Sequence, residues 1–114
     1  MKRTRPSYLQ TYRLSHGLTW AELGGLLGVS EASVRKYDTG ERVVSASALI
    51  ALELIFGQKA VDLFPALYGR VGNALMDRSF ALRECLAGRG DPTSQKKLDL
   101  LHELETRVLN AHIL

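Results

Sequence analysis

The side chains of this chain best suited to meeting another molecule by hydrogen bonding fall together between Ser30 and Gly40, in the run EASVRKYDT. If the run is helical, at about 100° per residue, Val34 and Tyr37 share a face with Ser30, and that face must be the buried one. Ala32 and Lys36 then point almost directly away, with Ser33, Arg35 and Thr39 on the flanks and Glu31 at the exposed amino-terminal end. This set matches the edges of nucleic-acid bases. Arg35 or Lys36 can donate to guanine O6 and N7, Glu31 can accept from cytosine N4, Ser33 can do either, and Ala32 can touch a thymine methyl. A merely solvated helix face can carry the same residue types, so the elements around the run must decide.

Those elements are sharply punctuated. Thr19 followed by Glu22 is a capping box, which opens a helix with reciprocal bonds to free backbone N–H groups. Gly28 tolerates the positive φ that ends a helix abruptly, Ser30 is an N-cap for the next, and Gly40 is its stop. Two helices, over about 20–27 and 31–38, separated by a few residues make a helix-turn-helix, whose second helix is shaped to enter a DNA major groove. A first helix is expected after Ser7, running to Ser15 and ending at Gly17. A fourth follows Ser45 or Ser47, with Leu49, Leu52 and Phe56 inside, and stops near Gly57; a short fifth spans Lys59 to Phe64. Gly24 and Gly25 sit inside the second helix, where each costs about 1 kcal/mol relative to alanine. A close approach of another element would justify Gly24, while Gly25 has no evident packing reason.

From Leu9 to Gly57 the order Leu9, Arg13, Gly17, Leu18, Thr19, Glu22, Leu23, Leu27, Gly28, Val29 and Ser30, then Val34, Tyr37, Asp38, Gly40, Ser45, Leu49, Leu52 and Gly57, resembles the lambda-repressor/Cro (XRE-type) helix-turn-helix family of DNA-binding regulators. The resemblance covers a little under half of the chain. It implies an all-α, five-helix lambda-repressor-like head, no cofactor, and a homodimer on double-stranded DNA at a pseudo-palindromic operator. It also implies that Arg13 pairs with Asp38, fastening the first helix to the third. Trp20 stands where the family usually places a glutamine that bonds a phosphate; its indole N–H can still donate one bond. Thr39, Arg42 and the free N–H groups opening the second helix complete the expected phosphate contacts.

Charge supports a polyanionic partner. The chain carries a formal net charge of +3. Residues 1–45 hold 7 Lys or Arg against 4 Asp or Glu, and residues 46–114 hold 8 of each, so the excess lies with the helix-turn-helix pattern. Lys2, Arg3 and Arg5 form a basic arm before Pro6, expected to contact phosphates. No catalytic constellation or metal-ligand spacing involves His16, His102, His112 or Cys85, so no enzyme is expected. Cys85 is alone and is expected in a packed core. No apolar run is long enough for a membrane, and the basic start lacks the apolar stretch of a signal peptide, which together suggest a cytoplasmic protein.

The remainder divides from the head at about residue 65, giving 1–65 as the helix-turn-helix domain and 66–114 as a two-helix extension. Leu67, Val71, Ala74, Leu75, Leu82, Cys85 and Leu86 follow a helical period ended by Gly88 to Gly90. Asp91 and Pro92 open a last helix with a stripe of Leu98, Leu101, Leu104, Val108 and Ala111. The two stripes exceed what a small head needs to cover. Leu67, Val71, Leu75, Leu82, Leu101, Leu104 and Val108 are therefore expected at a subunit interface. Packing of the two helices onto the head, or onto each other, is the alternative. Three functions stay open at this point: a regulator, usually a repressor; an antitoxin whose C-terminal helices sequester a partner protein; and an interaction module that binds no DNA.

Overall fold

The computed structural model describes residues 6–113, and every regular element in it is a helix. In chain order these are α1 (Leu9–Ser15), α2 (Trp20–Leu27), α3 (Glu31–Thr39), α4 (Ala46–Phe56), α5 (Ala60–Leu63), α6 (Pro65–Leu86) and α7 (Pro92–Ile113). The all-α expectation is met, five short helices preceding two long ones. The chain forms two compact units that meet in sequence between Tyr68 and Gly69, inside α6.

In the first unit the helix ends are set by local chemistry. Thr19 Oγ1 accepts from the Glu22 N–H at 3.0 Å while Glu22 Oε1 accepts from the Thr19 N–H at 2.9 Å, completing the capping box of α2. These bonds from Thr19 hold the Glu22 carboxyl below its ordinary pKa. Ser30 and Ser45 cap α3 and α4 by accepting from the N–H groups of Ser33 and Ala48. Glu53 Oε2 accepts the Ala60 N–H at 3.0 Å, so α4 supplies the cap of α5. The start of α1 is tied to the end of α5 by a 2.9 Å bond from the Tyr8 N–H to the Leu63 carbonyl.

Leu9, Leu23, Val34, Leu52 and Leu63 are fully buried, one from each of the five short helices, and Tyr37, Ala48, Phe56 and Phe64 close around them. Burial of this kind stabilises by about 1.5–3 kcal/mol per large side chain. On α4 it is Ala48 that lies deep, Leu49 being half-buried.

The second unit is built differently. Gly88, with φ +80°, ends α6. Asp91 opens α7: its carboxylate accepts the Ser94 N–H at 3.0 Å and the Ser94 hydroxyl at 2.8 Å, bonds that lower its pKa. The buried positions of α6 are Gly72, Ser79 and Leu86, one at every seventh residue. On α7, Ser94 and Leu101 are buried, with Leu98, Leu104, Glu105 and Val108 half-buried. The two helices fold back on each other and are joined by a polar node. Ser79 Oγ donates to Glu105 Oε2 at 2.5 Å, and Arg83 Nη2 donates to Glu105 Oε1 at 2.9 Å.

Two expectations for this region need correction. Cys85 is exposed, not packed in a core. Val71, Leu75 and Leu82, expected at a subunit interface, are 57%, 39% and 46% exposed within the chain. It is the Ser79–Arg83 side of α6 that meets α7, where both side chains bond Glu105, and Gly72, Ser79 and Leu86 are the buried positions of α6. Of the α7 residues expected at that interface, Leu101 is 5% exposed and so already covered within the chain, and Leu104 and Val108 are half-buried. Leu67 is half-buried against the core of the first unit.

Candidate nucleic-acid interface

The turn between α2 and α3 fixes the angle at which α3 is presented. Gly28 ends α2 with φ +72°, and the Val29 N–H bonds the Gly24 carbonyl at 3.0 Å. Gly24 is the position where the turn crosses α2. A Cβ there would stand 2.9 Å from the Val29 carbonyl oxygen and 3.3 Å from the Glu31 nitrogen, both backbone atoms. A Cβ at Gly25 would meet nothing within 4 Å. The contrast expected between the two glycines is met, and the element that approaches Gly24 is the turn itself.

With Val34 and Tyr37 in the core, the opposite side of α3 is open. Glu31, Ala32, Arg35 and Lys36 are exposed and Ser33 is half-buried at its edge. The structure brings several of these together. Arg35 lies 3.7 Å from Glu31 one turn back, and its guanidinium stands 5.8 Å from the centre of the Trp20 ring. Arg42 folds back from the loop after Gly40 and donates from Nη1 to the Ser33 hydroxyl at 2.9 Å, while its N–H bonds the Lys36 carbonyl at 3.2 Å. Thr39 Oγ1 also bonds that carbonyl, at 3.3 Å. The Lys36 ammonium has no partner among the described residues. Lys2, Arg3 and Arg5 lie outside the described residues.

The expected ion pair between Arg13 and Asp38 is not formed. Arg13 Nη1 donates to the Leu18 carbonyl at 2.6 Å, and its guanidinium lies 4.3 Å over the Trp20 ring. Trp20 offers Arg13 an aromatic face that a glutamine would not, and cation–π contact of this kind is worth about 0.5–2 kcal/mol. The Arg13 Nε is buried without a partner. Asp38 instead accepts from the hydroxyl of Ser7, which itself accepts the Leu9 N–H at 3.2 Å. The link between the start of α1 and the end of α3 therefore exists, but a serine makes it. No spacing rule picks out Ser7 for this task; its place just ahead of α1 is the one signal the sequence carries.

The site is thus a helix resting on a glycine-tightened turn, with acceptors, donors and a methyl on its free side and a basic residue folded over one edge. Among the described residues, no cluster of His, Cys, Asp and Glu could hold a metal ion, and no helix is long and apolar enough to cross a membrane.

Comparison with known proteins gives the class. Residues 7–61 match the family described as helix-turn-helix domain. Three archaeal relatives, each a candidate HTH-type transcriptional regulatory protein by name, match it further. The protein of Pyrococcus horikoshii is 36% identical over 63 residues, 55% of this chain and 20% of its own length. That of Pyrococcus furiosus is 39% identical over 66 residues, 55% of this chain and 21% of its own. That of Thermococcus kodakarensis is 36% identical over 69 residues, 60% of this chain and 22% of its own. The match therefore spans about a fifth of the length of these relatives. No solved structure gives a significant match to the chain.

Proposed function

We propose that the chain is a sequence-specific DNA-binding transcriptional regulator, acting as a repressor when a homodimer occupies a pseudo-palindromic operator. The observation that carries this reading is the free face of α3, where Glu31, Ala32, Ser33, Arg35 and Lys36 stand opposite the buried Val34 and Tyr37. Placed in a major groove, Lys36 and Arg35 donate to guanine, Glu31 accepts from cytosine, and Ala32 packs on thymine. Arg35 reaches the groove already oriented, flanked by Glu31 and the Trp20 ring. Trp20, Thr39 and Arg42 lie around this face and contact phosphates, fixing the register without reading sequence. The basic arm of Lys2, Arg3 and Arg5 adds attraction that is blind to sequence and falls with salt. Binding is reversible and needs no cofactor or catalytic step.

Selection of bound sequences from a random DNA pool tests the reading, because it returns both half-site and spacing. Two half-sites about one helical turn apart, or a multiple of it, are expected. Lys36→Ala should weaken the preferred site by about 1–3 kcal/mol and relax its consensus at one position. Replacement of the three arm charges should weaken preferred and random DNA alike. A consensus untouched by Lys36→Ala but altered by the arm replacement would move recognition from α3 to the arm. Failure to retain any DNA at low salt would overturn the proposal and favour a protein-interaction module.

A further inference from the structure

Among the described residues, two exposed Glu–Arg pairs lie one turn apart along a helix, Glu31 with Arg35 on α3 at 3.7 Å and Glu103 with Arg107 on α7 at 3.5 Å. Exposed pairs of this kind contribute little by themselves. The pair on α3 has a third member. The centre of the Trp20 ring lies 5.8 Å from the Arg35 guanidinium, within cation–π range. Trp20 opens α2, is half-buried, packs against the core and carries the Arg13 guanidinium at 4.3 Å. The ring is therefore a fixed platform, and Glu31 and Arg35 stand about 40° apart at one edge of the free side of α3. Contact with a ring uses none of the guanidinium's five N–H donors. Arg35 is held and can still donate.

We propose that Glu31, Arg35 and Trp20 act as one reading unit: Glu31 and Arg35 bind the two halves of a single G·C base pair, and Trp20 is the positioning residue that holds Arg35 to it. The inference rests on the DNA reading above and adds which base pair this edge of α3 takes and what fixes the choice. In the major groove a G·C pair presents the guanine N7 and O6 acceptors beside the cytosine N4 donor. A guanidinium and a carboxylate 3.7 Å apart present the complement, donors beside an acceptor. An A·T pair sets the adenine N6 donor between two acceptors, adenine N7 and thymine O4. There Arg35 would meet a donor and Glu31 an acceptor. The two residues also need each other. A carboxylate brought against the phosphates is repelled unless a cation neutralises it, so Glu31 enters the groove only with Arg35. Arg35 in turn is a long side chain with rotamer freedom to lose on binding, and Glu31 and the Trp20 ring remove part of that loss before DNA arrives.

Selection from a random DNA pool with single variants of the full chain tests the unit column by column. Arg35→Ala should weaken the preferred site by about 5- to 150-fold and relax one G·C column, and Glu31→Ala should relax that same column. Both residues are exposed, so neither change disturbs the core. Trp20→Phe and Trp20→Met both keep apolar bulk against the core and both lose the indole N–H, but only the first keeps a ring. The two should bind random DNA alike. Trp20→Met should bind the preferred site about 2- to 30-fold more weakly than Trp20→Phe and relax the shared column, which Trp20→Phe should keep. Different columns relaxed by Glu31→Ala and Arg35→Ala, no column relaxed by Glu31→Ala, or a shared column that selects A·T would each overturn the single G·C pair. The same consensus from Trp20→Phe and Trp20→Met would overturn the positioning role and leave Trp20 a phosphate contact. In each of these cases a column still relaxed by Lys36→Ala would leave the DNA reading standing. A native chain that retains no DNA at low salt would overturn both.

Discussion

In the unit that ends at Tyr68 the buried positions are mostly leucines, valines and aromatics, joined by Ala48, Gly24 and the linking Ser7. In the unit that begins at Gly69 the order is partly reversed: Gly72, Ser79 and Ser94 are buried beside Leu86 and Leu101, while Val71, Leu75 and Leu82 are exposed. Both units are helical, and both use short polar N-caps and glycine stops, Thr19, Ser30 and Ser45 with Gly28, Gly40 and Gly57 in the first and Asp91 with Gly88 in the second. They differ in what the inside is asked to do. The first unit stabilises itself with a hydrophobic core and thereby holds α3 rigidly. The second joins two long helices through a hydroxyl–carboxylate–guanidinium node and leaves Val71, Leu75 and Leu82 exposed.

The sharpest way to break that comparison is to truncate one leucine in each unit. Leu23→Ala removes a fully buried side chain of α2 and should cost about 2–5 kcal/mol by denaturant unfolding. Leu82→Ala, on the outer face of α6, should change the stability of the isolated chain by about 0.5 kcal/mol or less while weakening dimerisation. Equal losses at both positions, measured below the dimer concentration, would mean that Leu82 is covered within the chain.

The two glycines of α2 give a smaller contrast inside the first unit. Gly24→Ala places a methyl against the backbone of the turn and should destabilise by about 1–3 kcal/mol, with a loss of DNA affinity because α3 must shift. Gly25→Ala meets open space and should stabilise by up to about 1 kcal/mol through helix propensity. Thermal unfolding of both variants settles the sign, and a neutral Gly24→Ala would show the turn to be slacker than the 2.9 Å approach requires.

What could be read from the sequence divides along the same line. The caps at Thr19, Ser30, Ser45 and Asp91 and the stops at Gly28, Gly40 and Gly57 are local signals, each set by a few adjacent residues, and the helices they delimit were legible within a residue or two. The open side of α3 was legible because Val34 and Tyr37 leave only one face for the core. The partner of Arg13 was not, because it depends on Trp20, a departure from the family pattern that draws the guanidinium away from Asp38. Nor was the inward face of α6. Its residues support two faces, one apolar and one of small and polar side chains, and the usual rule sends the apolar one inside. Only the position of Glu105 on another helix makes the Ser79–Arg83 face the inner one.

That node sharpens the comparison through acid. The Ser79 hydroxyl bond, and then Arg83, hold the Glu105 carboxyl below its ordinary pKa. A carboxylate whose folded pKa is depressed contributes its full stabilisation above the unfolded value, about 4.3, and loses it as pH falls through the folded value. The core of the first unit contains no ionisable group except Tyr37, so acid should act there mainly at exposed caps such as Glu22. Lowering the pH from about 6 to below about 4 should therefore loosen the α6–α7 pair before the helix-turn-helix core. Amide exchange, corrected for its intrinsic pH dependence, would show this as earlier loss of protection along α7. Glu105→Gln keeps an acceptor for Ser79 but cannot ionise, so its stability should vary less with pH over the same interval. If the variant follows the wild-type curve, the link between these helices owes little to the carboxylate, and packing at Leu86 and Leu101 must hold the pair.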